Sequence, residues 1–402
     1  MPESGLHPLS SMPFSQAAGK MEHSHIVELW EMGFGRDNVI PLWVGEGDLP
    51  TPRFIIDATH QALLEGHCFY GPKRGIPELR SAFSDYYRRH YGLSLDSERF
   101  SITSSGMNAV VVALQAVVSP GDRVVIVAPV WPNVVYAAKL VGGEPVSVGL
   151  KPREDGGFKL DLNELFAACD ERTKAIFIVT PSNPTGWIIS EEEQRALLDF
   201  CRRRRIWLIG DEVYHRFVYD DQDGGKDGTR VAPSFLQVAE EEDPLFIINS
   251  FSKAWAMTGW RMGWLTHPGS VGGLISDLIE YNTSGAQPFL QWGCLAALRD
   301  GEAFVKDYIA RCGKAAKILY EGLSSYPRVR IARPQASFYS FFAVEGVSNS
   351  LDFCKDVLEK TGVGLAPGTA FGPQGEGHVR LCFASSPERI AEAVERLEPV
   401  LK

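Results

Sequence analysis

No two cysteines among the 402 residues stand in a CxxC spacing, and the seven present, at 68, 169, 201, 294, 312, 354 and 382, form a scattered, odd-numbered set. That argues against a disulfide framework and a zinc site, and fits a reducing compartment. Basic residues are also in short supply. Forty Lys and Arg against fifty Asp and Glu give a formal net charge of −10, which removes the general electrostatic argument for nucleic-acid binding. The only dense basic run, Arg202 to Arg205, follows Phe200 and Cys201 and reads as a solvated helix end rather than a phosphate patch. No stretch approaches the roughly 18 apolar residues of a spanning helix. The N-terminus shows no basic region followed by an apolar run, so the expected location is the cytoplasm, in soluble form.

What is present is ordinary for a globular chain: 45% hydrophobic and 22% charged residues, enough for a large core shared between two or three domains. Residues 1–40, with Pro2, Pro8 and Pro13, read as an arm plus one short helix. From Phe100 onward, short apolar runs alternate with amphipathic stretches. Strands are expected at Phe100–Thr103, Arg123–Ala128, Pro145–Val148, Ala175–Val179, Trp207–Gly210, Leu245–Asn249 and Arg261–Leu265. Helices are expected at Asn108–Val118, Val134–Val141, Leu160–Ala168 and Glu191–Arg203. This alternation predicts an α/β fold with a mainly parallel seven-stranded sheet flanked by helices, whose ligands sit at the carboxyl ends of the strands.

The pattern changes near Tyr281. Helix Glu302–Ser324, strands Val329–Ile331, Phe338–Ala343 and His378–Phe383, and helices Ser350–Thr361 and Pro387–Leu401 predict a second, smaller α/β domain. The polar, glycine-rich run Asp220–Gly228 reads as an exposed loop.

Five segments that follow predicted strands carry residues suited to chemistry. Ser250, Ser252 and Lys253, with Arg261 shortly after, combine two hydroxyls and a cation for a phosphate with a lysine able to attack a carbonyl. A solvated surface lysine is the plain alternative. Asp211 and Tyr214 stand at the mouth of a buried strand, where the carboxylate either holds a protonated ring nitrogen or caps a helix. Asn183 lies between Pro181 and Pro184, in a rigid turn that aims one amide side chain. Ser105, Gly106 and Met107 open a helix and offer free backbone N–H groups to an anion, or simply an N-cap. Trp131 either stacks on a planar ring or packs in the core. Their common placement after strands lets all five converge on one crevice.

In order and spacing, these segments resemble the class I/II aminotransferases, the fold-type I pyridoxal-phosphate enzymes related to aspartate aminotransferase. The resemblance spans about nine-tenths of the chain, from Val44 onward. It includes Gly45-Glu46-Gly47-Asp48, Tyr70-Gly71-Pro72 followed by Gly75-Ile76-Pro77-Glu78-Leu79-Arg80, Pro120-Gly121-Asp122, and Gly377-His378-Val379-Arg380. It implies a soluble homodimer with shared sites and three parts: an arm with part of the small domain over 1–45, a large cofactor domain over 46–285, and a small domain over 286–402.

The resemblance further implies pyridoxal 5′-phosphate as cofactor and a ping-pong transfer of an amino group from an L-amino acid to a 2-oxo acid. Lys253 would be the imine lysine and proton-transfer base. Asp211 would pair with the pyridinium nitrogen, and Tyr214 and Asn183 would bond the phenolic oxygen. Trp131 would stack on the ring. Ser105, the Gly106 and Met107 backbone, Ser250, Ser252 and Arg261 would hold the phosphate, with Tyr70 reaching that of the neighbouring subunit. Arg380, aided by Asn183 and the Gly45 backbone, would grip the substrate carboxylate.

One position departs from an aspartate-specific branch, which carries at Met107 a lysine for the distal carboxylate. Met107, Phe14 and Trp43 are therefore expected to line an apolar or aromatic side-chain pocket, and specificity is not expected to be strictly dicarboxylic. Lys20 or Arg74 would have to supply a second cation for glutamate. Gly47 stands where many relatives have proline. A β-lyase on the same fold is the alternative reading, and a non-catalytic regulator or an α/β domain for another phosphate ligand are remoter ones.

Overall fold

The computed structural model describes residues 14–15, 17–219 and 230–402, with Lys20 and Arg230 among them by backbone position. The expected loop at Asp220–Gly228 and the prolines of the first 13 residues lie outside the described residues.

Seven strands form the main sheet: β1 (Phe100–Thr103), β2 (Arg123–Ala128), β3 (Glu144–Gly149), β4 (Thr173–Val179), β5 (Trp207–Asp211), β6 (Leu245–Ser250) and β7 (Gly263–Thr266). Their spatial order is β1-β7-β6-β5-β4-β2-β3. The β2–β3, β2–β4, β4–β5 and β5–β6 pairs are parallel, and only β7 runs antiparallel to its neighbours β1 and β6. Val124–Ala128, Ala175–Val179 and Leu245–Ile248 are buried throughout, as strands covered on both faces must be. Each such Val or Ile contributes about 1.5–3 kcal/mol of burial.

The strand expected at Arg261–Leu265 starts two residues late. Arg261 has a left-handed backbone (φ +54°) after the 3₁₀ turn Thr258–Trp260, and pairing with β1 and β6 begins only at Gly263. Helix Glu191–Arg204 shows why its ends fall where they do. Ser190 and Glu193 form a reciprocal capping box, three glutamates occupy the first turn, and three arginines occupy the last. Its Arg202 is not merely solvated. It forks onto Asp243 and also pairs with Asp199, while Arg203, Arg204 and Arg205 are exposed as expected.

A second sheet holds β8 (Val329–Arg330), β9 (Tyr339–Val344), β10 (Ala366–Pro367) and β11 (His378–Cys382), in the order β8-β9-β11-β10. The N-terminal segment joins this part of the chain: Ile40–Pro41 pairs in parallel with Val363–Gly364. Helix Pro288–Asp300 packs against helices Arg53–Leu64 and Pro77–Tyr91. Among the described residues, no helix is long and apolar enough to cross a membrane, and the cysteines are all free thiols.

Candidate active site

The carboxyl ends of β5 and β6, the loop after β4 and the start of the helix after β1 meet the second sheet around a cavity of about 320 Å³. Asp211, Tyr214, Asn183, Gly106, Met107, Trp131, Ser250, Ser252, Lys253, Arg261, Gly45, Trp43 and Arg380 all line it. These come from segments as far apart as residues 43 and 380, which only the two-sheet topology brings together.

Lys253 follows β6 directly. Its Nζ donates to the Gly45 carbonyl at 2.6 Å and stands 5.8 Å from the centre of the Tyr214 ring. Burial, reinforced by the Arg380 and Arg261 charges, lowers its pKa to about 8, which makes the free amine accessible near neutrality. Asp211 ends β5 in a buried position, where one carboxylate oxygen accepts from the Val213 backbone N–H at 3.1 Å. Burial raises this carboxyl to about pH 7, against the pull of the Val213 N–H and of Lys253. A buried acid with so little compensation suits a cationic partner in the cavity. Its neighbour Glu212 faces another way and accepts from the Phe235 N–H at 2.9 Å.

At one end of the cavity the hydroxyl of Ser250 donates to that of Ser252 at 2.9 Å, beside the N-terminus of helix Gly106–Val117. The Ser105 hydroxyl caps this helix by accepting from the Asn108 N–H at 3.0 Å. The first-turn N–H groups of Gly106 and Met107 have no intrahelical acceptor by position. Glycine is needed behind them, because a Cβ on Gly263 would lie 2.5 Å from Gly106 N. With exposed Arg261 close by, this corner has the donors and charge that an anion requires.

At the other end, Arg380 on β11 is buried, with Nη1 donating to Asn183 Oδ1 at 3.1 Å and Nη2 to the Trp43 carbonyl. Its Nε is buried without a partner among the described residues. The guanidinium lies 4.6 Å from the Tyr339 ring centre and 4.8 Å from that of Phe371. A planar guanidinium fork held in place on both sides suits a carboxylate.

The chain matches the family model "Aminotransferase class I and II" over residues 37–397. It belongs to the class I and II aminotransferases. Among curated relatives, the aspartate aminotransferase of Pyrococcus horikoshii is 33% identical over 95% of each chain. The aromatic-amino-acid aminotransferase 2 of Thermococcus litoralis is 30% identical, over 97% of this chain and 99% of that one. Among solved structures, the aspartate aminotransferase of Thermus thermophilus with maleate superposes with a TM-score of 0.87 at 31% identity, covering 97% of this chain and all of that one.

Four expected positions of this aminotransferase lie outside the cavity wall, the first being Ser105, whose hydroxyl caps helix Gly106–Val117. Phe14 is 78% exposed and outside the cavity wall; the apolar wall is built instead by Ile26, Val44 and Met107 with Trp43. Arg74 is tied to Glu98 and Ser101, because burial of its guanidinium beneath β1 demands those acceptors, so it supplies no cation to the cavity. Lys20's side chain lies outside the described residues. Tyr70 is 87% exposed in the single chain and does not line the cavity.

Of the lining residues that were not expected, which include Ile26, Glu46, Val213 and Thr258, Tyr339 is the one in contact with two expected site residues, Tyr214 and Arg380. Its hydroxyl is 2.7 Å from that of Tyr214. The available signal was its place in the expected strand two residues before Phe341, which puts both on the face that carries Arg380. Gly47 also gains an explanation: a Cβ there would meet the Tyr308 hydroxyl at 1.9 Å.

Proposed function

We propose that this chain is a pyridoxal-phosphate-dependent aminotransferase that moves an amino group from an L-amino acid to a 2-oxo acid by a ping-pong cycle. The observation that carries the reading is a lysine, a buried carboxylate and a buried arginine around one cavity, in a chain that matches the family model over residues 37–397. The matched relatives bear aminotransferase names, which favours transfer over β-elimination or a regulatory role.

The residues fit the cofactor. Asp211 would hold the ring nitrogen in its protonated form, Trp131 would cover a ring face, and Tyr214 and Asn183 would face the ring oxygen. Ser105, Ser250, Ser252, Arg261 and the Gly106 and Met107 backbone would hold the phosphate. When bound, pyridoxal phosphate supplies an electron-poor ring that accepts the electron pair of the substrate's α-carbon–hydrogen bond. Lys253 Nζ would take the proton from that carbon, a role its lowered pKa supports. Arg380, with Asn183 and the Gly45 backbone, would fix the substrate carboxylate and thereby orient that bond.

The side-chain end of the cavity is apolar, with Met107, Ile26 and Val44 in its wall, which favours uncharged apolar or aromatic amino acids over dicarboxylic ones. We further propose a homodimer in which exposed Tyr70 and Phe69 are covered by a second copy, with Tyr70 completing that copy's phosphate site. The division into residues 1–45, 46–285 and 286–402 is proposed too, the arm joining the smaller part through the Ile40–Val363 pairing.

The test is transfer of ¹⁵N from a labelled amino acid to an unlabelled 2-oxo acid by the cofactor-loaded protein. Label in the product amino acid supports the reading; release of ammonia and oxo acid without an acceptor overturns it in favour of elimination.

A further inference from the structure

We propose that Tyr339 is a positioning residue. Its hydroxyl donates to Tyr214, which leaves the proton of Tyr214 free to point at the cofactor's ring oxygen, while its ring supports the Arg380 guanidinium. This rests on the reading of the cavity as a pyridoxal-phosphate site.

The argument begins with register. On β9 and β11, Phe341 lies directly opposite Arg380, and Tyr339 opposite Cys382. Tyr339 is thus the diagonal neighbour of Arg380 on the same face, near enough for its ring to meet the guanidinium at 4.6 Å. From there its hydroxyl reaches the Tyr214 oxygen at 2.7 Å, and the pair is buried. The same hydroxyl occupies the space beside Gly45, where a Cβ would lie 2.1 Å from it. Gly45 in turn accepts the Lys253 hydrogen bond. One side chain therefore touches the segment holding the lysine, the tyrosine facing the ring oxygen, and the arginine facing the carboxylate.

Hydrogen-bond counting gives the direction. Each phenol has one proton and two lone pairs, so a pair at this distance shares a single donated proton. If Tyr214 donated to Tyr339, it would have no proton left for an acceptor in the cavity. A cation lies over each ring, but the Arg380 guanidinium is nearer to that of Tyr339, at 4.6 Å, than the Lys253 amine is to that of Tyr214, at 5.8 Å, which makes Tyr339 the better donor. The chain of donation then runs from Tyr339 to Tyr214 and on into the cavity, each bond polarising the next.

The experiment is a pH titration of the visible band of the protein loaded with pyridoxal phosphate, in wild type, Tyr339→Phe, Tyr214→Phe and the double variant. Tyr339→Phe is expected to raise the midpoint by about half to one pH unit, the loss of one net hydrogen bond. Tyr214→Phe should raise it at least as far, and the double variant should match Tyr214→Phe alone. In Tyr339→Leu, loss of the ring should also raise KM for the amino donor roughly five- to tenfold, whereas Tyr339→Phe should leave KM within about twofold because the ring remains. If Tyr339→Leu fails to fold, the two phenylalanine variants still carry the test. An unchanged midpoint in Tyr339→Phe with only a lower melting temperature overturns the inference, as do shifts that simply add in the double variant. No visible band in wild type would bring down the cofactor reading itself, and this inference with it.

Discussion

The carbonyl of Gly45 accepts a hydrogen bond from Lys253 Nζ at 2.6 Å, joining residues 208 positions apart in the chain. The bond links the end of β6 to the Trp43–Gly47 segment, whose Trp43 carbonyl also receives Arg380. The amine and the guanidinium are therefore held by one short stretch of backbone, so the groups proposed to move the proton and to bind the carboxylate share a positioning element.

Lys253→Ala should reduce amino transfer by about a thousandfold or more, since it removes both the attacking amine and the base. Steady-state transfer and the visible spectrum check this together. Activity near wild type would remove Lys253 from the chemistry.

Asp211 makes a pH prediction with a definite sign. Its carboxyl titrates near 7 in the cofactor-free fold, above its ordinary value of 3.8, so the folded state holds a proton that the unfolded state has lost. Stability of the cofactor-free protein should therefore fall as pH rises from about 4 to 7 through this group. Asp211→Asn should abolish that loss and raise Tm at neutral pH by about 2–5 °C, while weakening pyridoxal-phosphate binding. Melting curves against pH, with and without the cofactor, decide it; an unchanged slope in Asp211→Asn would contradict the account.

Gly47→Ala should destabilise the protein by about 1–3 kcal/mol, the usual cost of overpacking. The Tyr308 hydroxyl fills the place of the new methyl. Adding Tyr308→Phe should recover part of the loss, and denaturant unfolding of the three variants measures it.

Met107→Lys should place a cation in the apolar wall and raise kcat/KM for aspartate about tenfold or more, while lowering it for apolar amino acids. Parallel kinetics with aspartate and phenylalanine would show the switch. No change in their ratio would mean that the side chain of residue 107 does not meet the substrate.

The sheet was legible because its strands are short apolar runs with helical segments between them, and Phe100–Thr103 and Arg123–Ala128 were bounded to the residue. Arg261 was misread as strand because its left-handed backbone leaves no mark in the pattern of apolar residues. Arg74 looked like a spare cation because its partner Glu98 is 24 residues away and only the folded turn brings the two together. Tyr339 was hidden for the opposite reason: in the run Phe338 to Phe342, one more aromatic reads as packing. What separates it from its neighbours is the Tyr214 hydroxyl, a contact between the second sheet and the turn after β5 that no local pattern encodes.

The most direct test is the absorbance spectrum of the purified protein, supplied with pyridoxal phosphate, as single amino acids are added without any oxo acid. The account predicts a band between roughly 360 and 430 nm from cofactor joined to Lys253, which an apolar or aromatic amino acid converts to absorbance near 330 nm. Absence of the band after cofactor addition, or a band that no amino acid alters, would contradict it.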